Sequence, residues 1–343
     1  MEEDYDYFNN LYKNDEIGKI SDSFKGLKFL KLKSFGRKIF TTEFSKLIGN
    51  DLSSVPSRQH LKKLFELNPD MEIIDNFIKQ KSAEIRKERE LTEEQLEKSL
   101  LTIEKLDTGG IFQGGLENTL IKKFVKDERS LERLNTQLNE GSINSLVNNY
   151  LIWSWYNNWT SIYIEDFFAD HENIIQAIGQ VKKIDFFLNN VPFDLKVTYF
   201  PEGFIKEKRR VSGLGNELTL LKQYARREGV DFDQNLGDSK LHEELWTSIQ
   251  NLSKQSGLTL LDEIIKFRNN LYSNVKNNPN ELITWLYENQ GERRFDAANR
   301  LFLILFNNEN FFESWKLKRE FTKLKKDIHF SLDKLSNKDF QEI

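Results

Sequence analysis

Cysteine is absent from the 343 residues, which excludes disulfide frameworks, thiolate zinc sites and cysteine nucleophiles together. Histidine occurs only at positions 60, 171, 242 and 329, too scattered for an imidazole-rich metal site, and each reads as a surface residue or helix cap. No run approaches the ~18 apolar residues of a membrane span. The start, Met1-Glu2-Glu3-Asp4, is acidic where a signal peptide would be basic. A cytoplasmic protein without membrane partners is expected. Its chemistry has to rest on carboxylates, lysines and a hard cation.

What the chain does hold is aromatic anchors: 27 Phe, 10 Tyr and 6 Trp, too many for disorder along its whole length. The length suits one large domain or two ordinary ones. Net charge is 50 − 54 = −4, whereas a protein that coats nucleic acid is basic overall. Contact with nucleic acid would need local patches, and three exist. Lys25, Lys28, Lys31, Lys33, Arg37 and Lys38 form the first, and Lys206, Lys208, Arg209 and Arg210 the second. Lys316, Lys318, Arg319, Lys323, Lys325 and Lys326 form the third. Any one of them alone reads as a solvated helix face.

Apolar spacing of three and four predicts helices over 61–67, 73–85 and 91–106. Thr92 and Gln95 stand where a capping box would open the third. Alternation near Leu27–Leu32 admits a strand. The glycines at 109, 110, 114 and 115 lack the Lys-Ser/Thr ending of a P-loop and read as a joint between helices. From about residue 146 the character changes. An aromatic helix over 151–168 leads into β-like runs at Ile174–Val181, Ile184–Leu188 and Val191–Tyr199. A helix over 215–228, further helix over 245–286, a strand at Arg300–Phe306 and a basic closing helix over 315–335 follow. The division is a mainly helical region 1–145, serving recognition or dimerisation, and a second domain 146–343 with a helical insertion at 231–296.

The informative segment is Lys183-Ile184-Asp185-Phe186-Phe187-Leu188-Asn189-Asn190-Val191-Pro192-Phe193-Asp194-Leu195-Lys196-Val197-Thr198. Asn189-Asn190 tolerates the positive φ of a tight hairpin turn. Side chains alternate across a strand, so Asp194 and Lys196 share one face, and folding back at the turn brings Asp185 beside Asp194. Two carboxylates suit Mg²⁺, which takes one or two protein carboxylates and keeps waters. An amine beside them can orient a water or neutralise charge on phosphorus. Asp-x-Lys alone is weak: Asp238-Ser239-Lys240 repeats it in a loop-like setting. The signal at 185–196 is the conjunction of strands, turn and charges in an otherwise buried pattern. The bland alternative is an edge hairpin with an incidental Asp–Lys pair.

At these residues the chain resembles the PD-(D/E)xK nuclease superfamily, and in its wording bacterial type II restriction endonucleases. Ile184-Asp185 stands in place of the nominal Pro-Asp. The resemblance covers about Trp153 to Phe306 and implies an α/β (α+β) fold with a mixed-sheet α-β-β-β-α-β core. It implies Mg²⁺ held by Asp185 and Asp194, with the Leu195 carbonyl as a further ligand, and a water positioned by Lys196. It also implies a Glu from the first core helix, for which Glu165 is the candidate and Asp166, Asp170 and Glu172 the alternatives. Lys206, Lys208, Arg209, Arg210, Arg226 and Arg227 would then line a DNA backbone. The expected function is a Mg²⁺-dependent endodeoxyribonuclease cutting double-stranded DNA as a homodimer, accompanied by a cognate methyltransferase. Two rivals stay open: a sequence-indifferent nuclease subunit of a defence or repair complex, and a non-catalytic DNA-binding or scaffold protein.

Overall fold

The structure, a computed structural model, describes residues 3–106, 136, 141–234, 236–289 and 299–336. The fold is α+β and mainly helical, built on a four-stranded mixed sheet. Among the described residues, seven helices come first: α1 (Tyr5–Lys13), α2 (Ile17–Ser21), α3 (Phe24–Lys33), α4 (Lys38–Leu47), α5 (Ser57–Glu66), α6 (Met71–Glu90) and α7 (Glu93–Leu101). The long α8 (Ser142–Ala169) then precedes β1 (Ile174–Val181), β2 (Ile184–Leu188) and β3 (Val191–Tyr199). Five helices follow, α9 (Glu202–Val211), α10 (Glu217–Glu228), α11 (Asp238–Leu252), α12 (Gln255–Asn277) and α13 (Asn280–Asn289). Strand β4 (Asn299–Leu305), a 3₁₀ segment (Phe311–Arg319) and α14 (Phe321–Ser336) close the described chain.

The sheet order is β1-β2-β3-β4, antiparallel across the first three strands and parallel between β3 and β4. The first three strands fall where alternation put them. Asn189 and Asn190 take φ of 49° and 67°, the left-handed pair that matches a two-residue turn to strand twist. The hairpin is not at an edge: β3 is hydrogen-bonded on both sides, to β2 and β4. Its registers are Phe186 with Phe193, Leu188 with Val191, Asp194 with Arg300 and Lys196 with Phe302.

One face of the sheet carries Phe186, Phe193, Leu195 and Leu305 onto α8 and α14, where Tyr163, Phe167, Phe321 and Ile328 complete a core. On the opposite face, Ile175, Ile178 and Phe187 of β1 and β2 pack into the N-terminal helices against Phe35, Phe44 and Phe77. Phe302 and Ile304 of β4 pack on α9, α12 and α13 through Phe204, Tyr272 and Leu286. The N-terminal helices therefore share a core with the sheet, and the division at residue 145 does not separate two cores. They meet closely at Gly179 of β1, where a Cβ would lie 2.5 Å from the Ser34 carbonyl oxygen.

Several local expectations are corrected. Leu27–Leu32 is helical, inside α3, which Ser23 caps with its hydroxyl accepting the Gly26 N–H at 3.0 Å. Gly26 and Lys28 through Leu32 are all buried, so no single apolar stripe marks the helix. Thr92 does occupy the cap of α7, but its hydroxyl donates back to the Arg89 carbonyl at 3.1 Å and forms no capping box. The closing helix is broken at Glu320 into a 3₁₀ segment and α14. The glycine cluster at 109–115 lies outside the described residues. No helix among the described residues is long and apolar enough to cross a membrane.

Candidate active site

The β2–β3 ladder ends at the Phe186–Phe193 pair, and Asp185 and Asp194 are the residues just beyond it on the two strands, close enough for the charge of Asp194 to act on the Asp185 carboxyl. Asp185 reaches across the strand gap, and its Oδ2 accepts the Leu195 N–H at 2.7 Å. Asp194 is 8% exposed. Its Oδ1 receives the Lys196 ammonium at 2.5 Å, and its Oδ2 lies 3.5 Å from Arg300 Nε. Lys196 keeps 44% of its side chain open to solvent, whereas Arg300 is nearly enclosed. The predicted trio of Asp185, Asp194 and Lys196 is thus assembled, with a fourth charge the sequence reading missed.

The face these residues occupy is covered at β1 and β2 by the N-terminal helices and at β4 by α9, α12 and α13. Beside Asp185 the β1–β2 ladder is interrupted. Register shifts between Gln176 and Val181, so residues 177–180 stand opposite Asp185 alone. Such bulges re-aim side chains and part neighbouring strands. Here the gap opens a cleft of about 500 Å³, lined by Glu165, Gln176, Gln180, Lys182 and Asp185, with Tyr12 of α1 at its rim.

Glu165 enters this cleft because α8 is fixed by its apolar side. Phe168, one turn on, stacks on Phe186 of β2 at 5.5 Å between ring centroids. The rival carboxylates on that helix are committed elsewhere. Asp166 is buried under a bidentate Arg89 clamp, and Asp170 pairs with Arg86 at 3.3 Å and Lys325 at 2.6 Å. Glu165 keeps an exposed side. Crowding by protein on the other side, then the charges of Asp185 and Asp166, push its carboxyl up to about 7 against Arg89 and Lys196. Burial also raises Asp185; the Leu195 N–H opposes the rise, the Asp194 charge adds to it and Lys196 opposes it. The three acids form one negative cluster offset by Lys196. Their oxygens are not all within 4.8 Å of one another; among the described residues only Glu202, Glu217 and His242 meet that distance as a set of three.

The expected DNA-facing cations divide. Lys206, Arg210, Arg226 and Arg227 are exposed. Arg209 is not available to a DNA backbone: it is 4% exposed, donates to the Gly215 carbonyl at 2.8 Å and lies 3.7 Å from Glu217. Lys208 is drawn to Glu281 and lies over the Phe204 ring. These residues belong to α9, a helix the sequence reading did not place, whose buried face of Phe204, Ile205 and Arg209 explains which cations turn inward. The other two basic patches are also partly structural. Lys31 is fully buried between Asp75 and Asn190, and Arg319 donates to the carbonyls of Leu100 and Ile103.

Two features of the site had weak signals in the sequence. Arg300 opens an apolar strand, a charge at a strand end with no evident partner until register is known. Gln176 and Lys182 line the cleft only because the ladder slips. Comparison with known proteins found no matching family model, no matching curated protein and no matching solved structure.

Proposed function

We propose that the chain is a Mg²⁺-dependent endodeoxyribonuclease with a restriction-endonuclease-like core, acting on double-stranded DNA as a type II restriction enzyme. The observation that carries this reading is the placement of Asp185 and Asp194 just beyond the last pair of the hairpin ladder, with the Lys196 ammonium on Asp194 and Glu165 at the adjoining cleft. The order helix, three strands, helices, strand along α8 to β4 supports it as well.

The donor set fits the ion. Asp185 and Asp194 offer oxygen ligands alone, as a hard cation prefers, and would hold Mg²⁺ between them. Bound there, the ion supplies Lewis acidity to a phosphoryl oxygen and lowers the pKa of water. The protein's own groups do the rest. The Leu195 N–H orients the Asp185 carboxylate, and Arg300 holds that of Asp194. Lys196, half open to solvent, hydrogen-bonds an attacking water and offsets charge on the phosphorus oxygens. Glu165, with its carboxyl near 7, takes up or releases a proton at the cleft in the neutral range. The exposed cations Lys206, Arg210, Arg226 and Arg227 contact phosphates without reading sequence. Paired cuts on two antiparallel strands call for a twofold homodimer, and host DNA would be spared by a cognate methyltransferase.

Incubation of the protein with unmodified phage DNA, with and without Mg²⁺, followed by sequencing of the ends, tests this reading. Ends at one short recurrent sequence, only with Mg²⁺, are the expected result. Random ends would move the protein to the sequence-indifferent nucleases, and intact DNA in both arms would contradict the proposal.

A further inference from the structure

A second cluster lies away from the hairpin. Glu202 opens α9, Glu217 opens α10 and His242 sits in the first half of α11, and one ligand atom of each lies within 4.8 Å of the other two. Glu217 is 4% exposed, while Glu202 reaches in from the rim. Arg268 of α12 aligns the two carboxylates: its Nη2 donates to Glu217 Oε2 at 2.6 Å and to Glu202 Oε1 at 3.1 Å. Its guanidinium in turn lies 3.7 Å over the Phe311 ring. A buried ion-pair network could end there.

His242 does not fit that ending. The residue is 8% exposed, yet its Nε2 has no hydrogen-bond partner. The nearest carboxylate oxygen, Glu217 Oε2, is 3.8 Å away, too long for a hydrogen bond. Rotation is restrained by Phe312, Phe311 and Trp246, with ring centroids 5.2, 5.8 and 6.4 Å away. Burial, then the charges of Arg268 and Lys206, push the imidazole down to about 3, so the ring is neutral. His242 lines a cavity of about 110 Å³ together with Glu202, Glu217, Asn216 and Asp238 and with the cations Lys206 and Arg209. That is room for an ion with water, at ~30 Å³ per water.

We propose that Glu202, Glu217 and His242 form a site for a borderline divalent transition ion, Zn²⁺, separate from the hairpin carboxylates. One neutral imidazole and two carboxylates are a Zn²⁺ donor set with a fourth position for water, and the nitrogen disfavours Mg²⁺. Ligands about 2.0–2.1 Å from a tetrahedral ion stand about 3.3 Å apart. The His242–Glu217 distance closes to that by a small side-chain shift. Arg268 keeps both carboxylates oriented, as groups behind metal ligands commonly do. The ion would join the starts of α9 and α10 to α11. This inference is independent of the nuclease reading.

The test is titration of the full, chelator-treated chain with Zn²⁺ alone, followed by ¹⁵N NMR of the four imidazoles and by the melting temperature. One equivalent is expected to shift the ring nitrogens of His242 and leave those of His60, His171 and His329 in place. It should also raise the melting temperature by several degrees. His242→Phe and Glu217→Gln are expected to weaken Zn²⁺ binding at least tenfold. An unmoved His242 or a shift at a different histidine overturns the proposal. Full binding by His242→Phe does the same. If Glu217→Gln does not fold, the wild-type spectrum and His242→Phe still decide.

Discussion

Asp194 and Arg300 are direct neighbours in the parallel β3–β4 register, and the Arg300 Nε lies 3.5 Å from Asp194 Oδ2 with both side chains largely enclosed. The carboxylate assigned to the cation is therefore also the counter-charge of a buried guanidinium. Breaking a buried pair by removing one member costs about 3–5 kcal/mol. Asp194→Asn is expected to lower stability by about 3 kcal/mol in urea unfolding without Mg²⁺, and Arg300→Met added to it to recover a substantial part. A fully additive double-mutant cycle would mean that the two charges are not coupled.

Glu165 makes stability depend on pH near neutrality. Its folded-state carboxyl, at about 7, lies above its ordinary value, so the folded chain binds the extra proton. The penalty of ionising Glu165 is absent below the unfolded pKa, grows as pH rises through the interval and is complete above about 7. The wild type is thus expected to lose stability relative to Glu165→Gln as pH rises from 5 to 8. Parallel melting curves at both pH values check this, and an unchanged difference would remove the coupling.

Lys31 fastens the N-terminal helices to the hairpin turn. Its fully enclosed ammonium donates to Asp75 Oδ1 at 2.7 Å and Asn190 Oδ1 at 2.6 Å. Lys31→Ala strands Asp75 and frees the turn that aligns Asp185 with Asp194. About 3 kcal/mol of lost stability is expected, together with faster amide exchange at residues 189–190.

The basic residues of α9 and α10 separate by burial. Lys206→Ala with Arg210→Ala is expected to weaken duplex DNA binding, and to lower the slope of log K against log salt by about 0.9 per lost phosphate contact. Stability should be nearly unchanged. Arg209→Ala should do the opposite, lowering the melting temperature through loss of its bond to the Gly215 carbonyl and of its charge beside buried Glu217, while leaving the salt slope alone. Anisotropy titrations across salt concentrations, alongside melting curves, distinguish the two.

The hairpin was legible in the sequence because its signals are local. Alternation, an Asn-Asn turn and charges inside apolar strands are all readable within the residues 183–198, and the strand boundaries follow from them. What lay outside such a window was set by long-range packing. Lys31 reads as part of a solvated basic run, yet meets Asp75 and Asn190, which are distant in the chain. Arg209 reads as a phosphate contact, yet turns inward because α9 buries that side. Lone histidines read as surface residues, and His242 proved buried against two glutamates contributed by other helices. Nothing local separates Glu165 from Asp166 and Asp170, whereas Arg89 and Arg86, distant in the chain, pair with those two.

The central claim is that Asp185, Asp194 and Lys196 act as one centre on DNA. The most direct measurement is the rate of plasmid cleavage with Mg²⁺ by the wild type and by Asp185→Asn, Asp194→Asn and Lys196→Ala, each first shown to be folded. The wild type should cut, and each variant should fall by at least about 100-fold. A folded wild type that leaves the plasmid intact, or variants that cut at the parental rate, would contradict it.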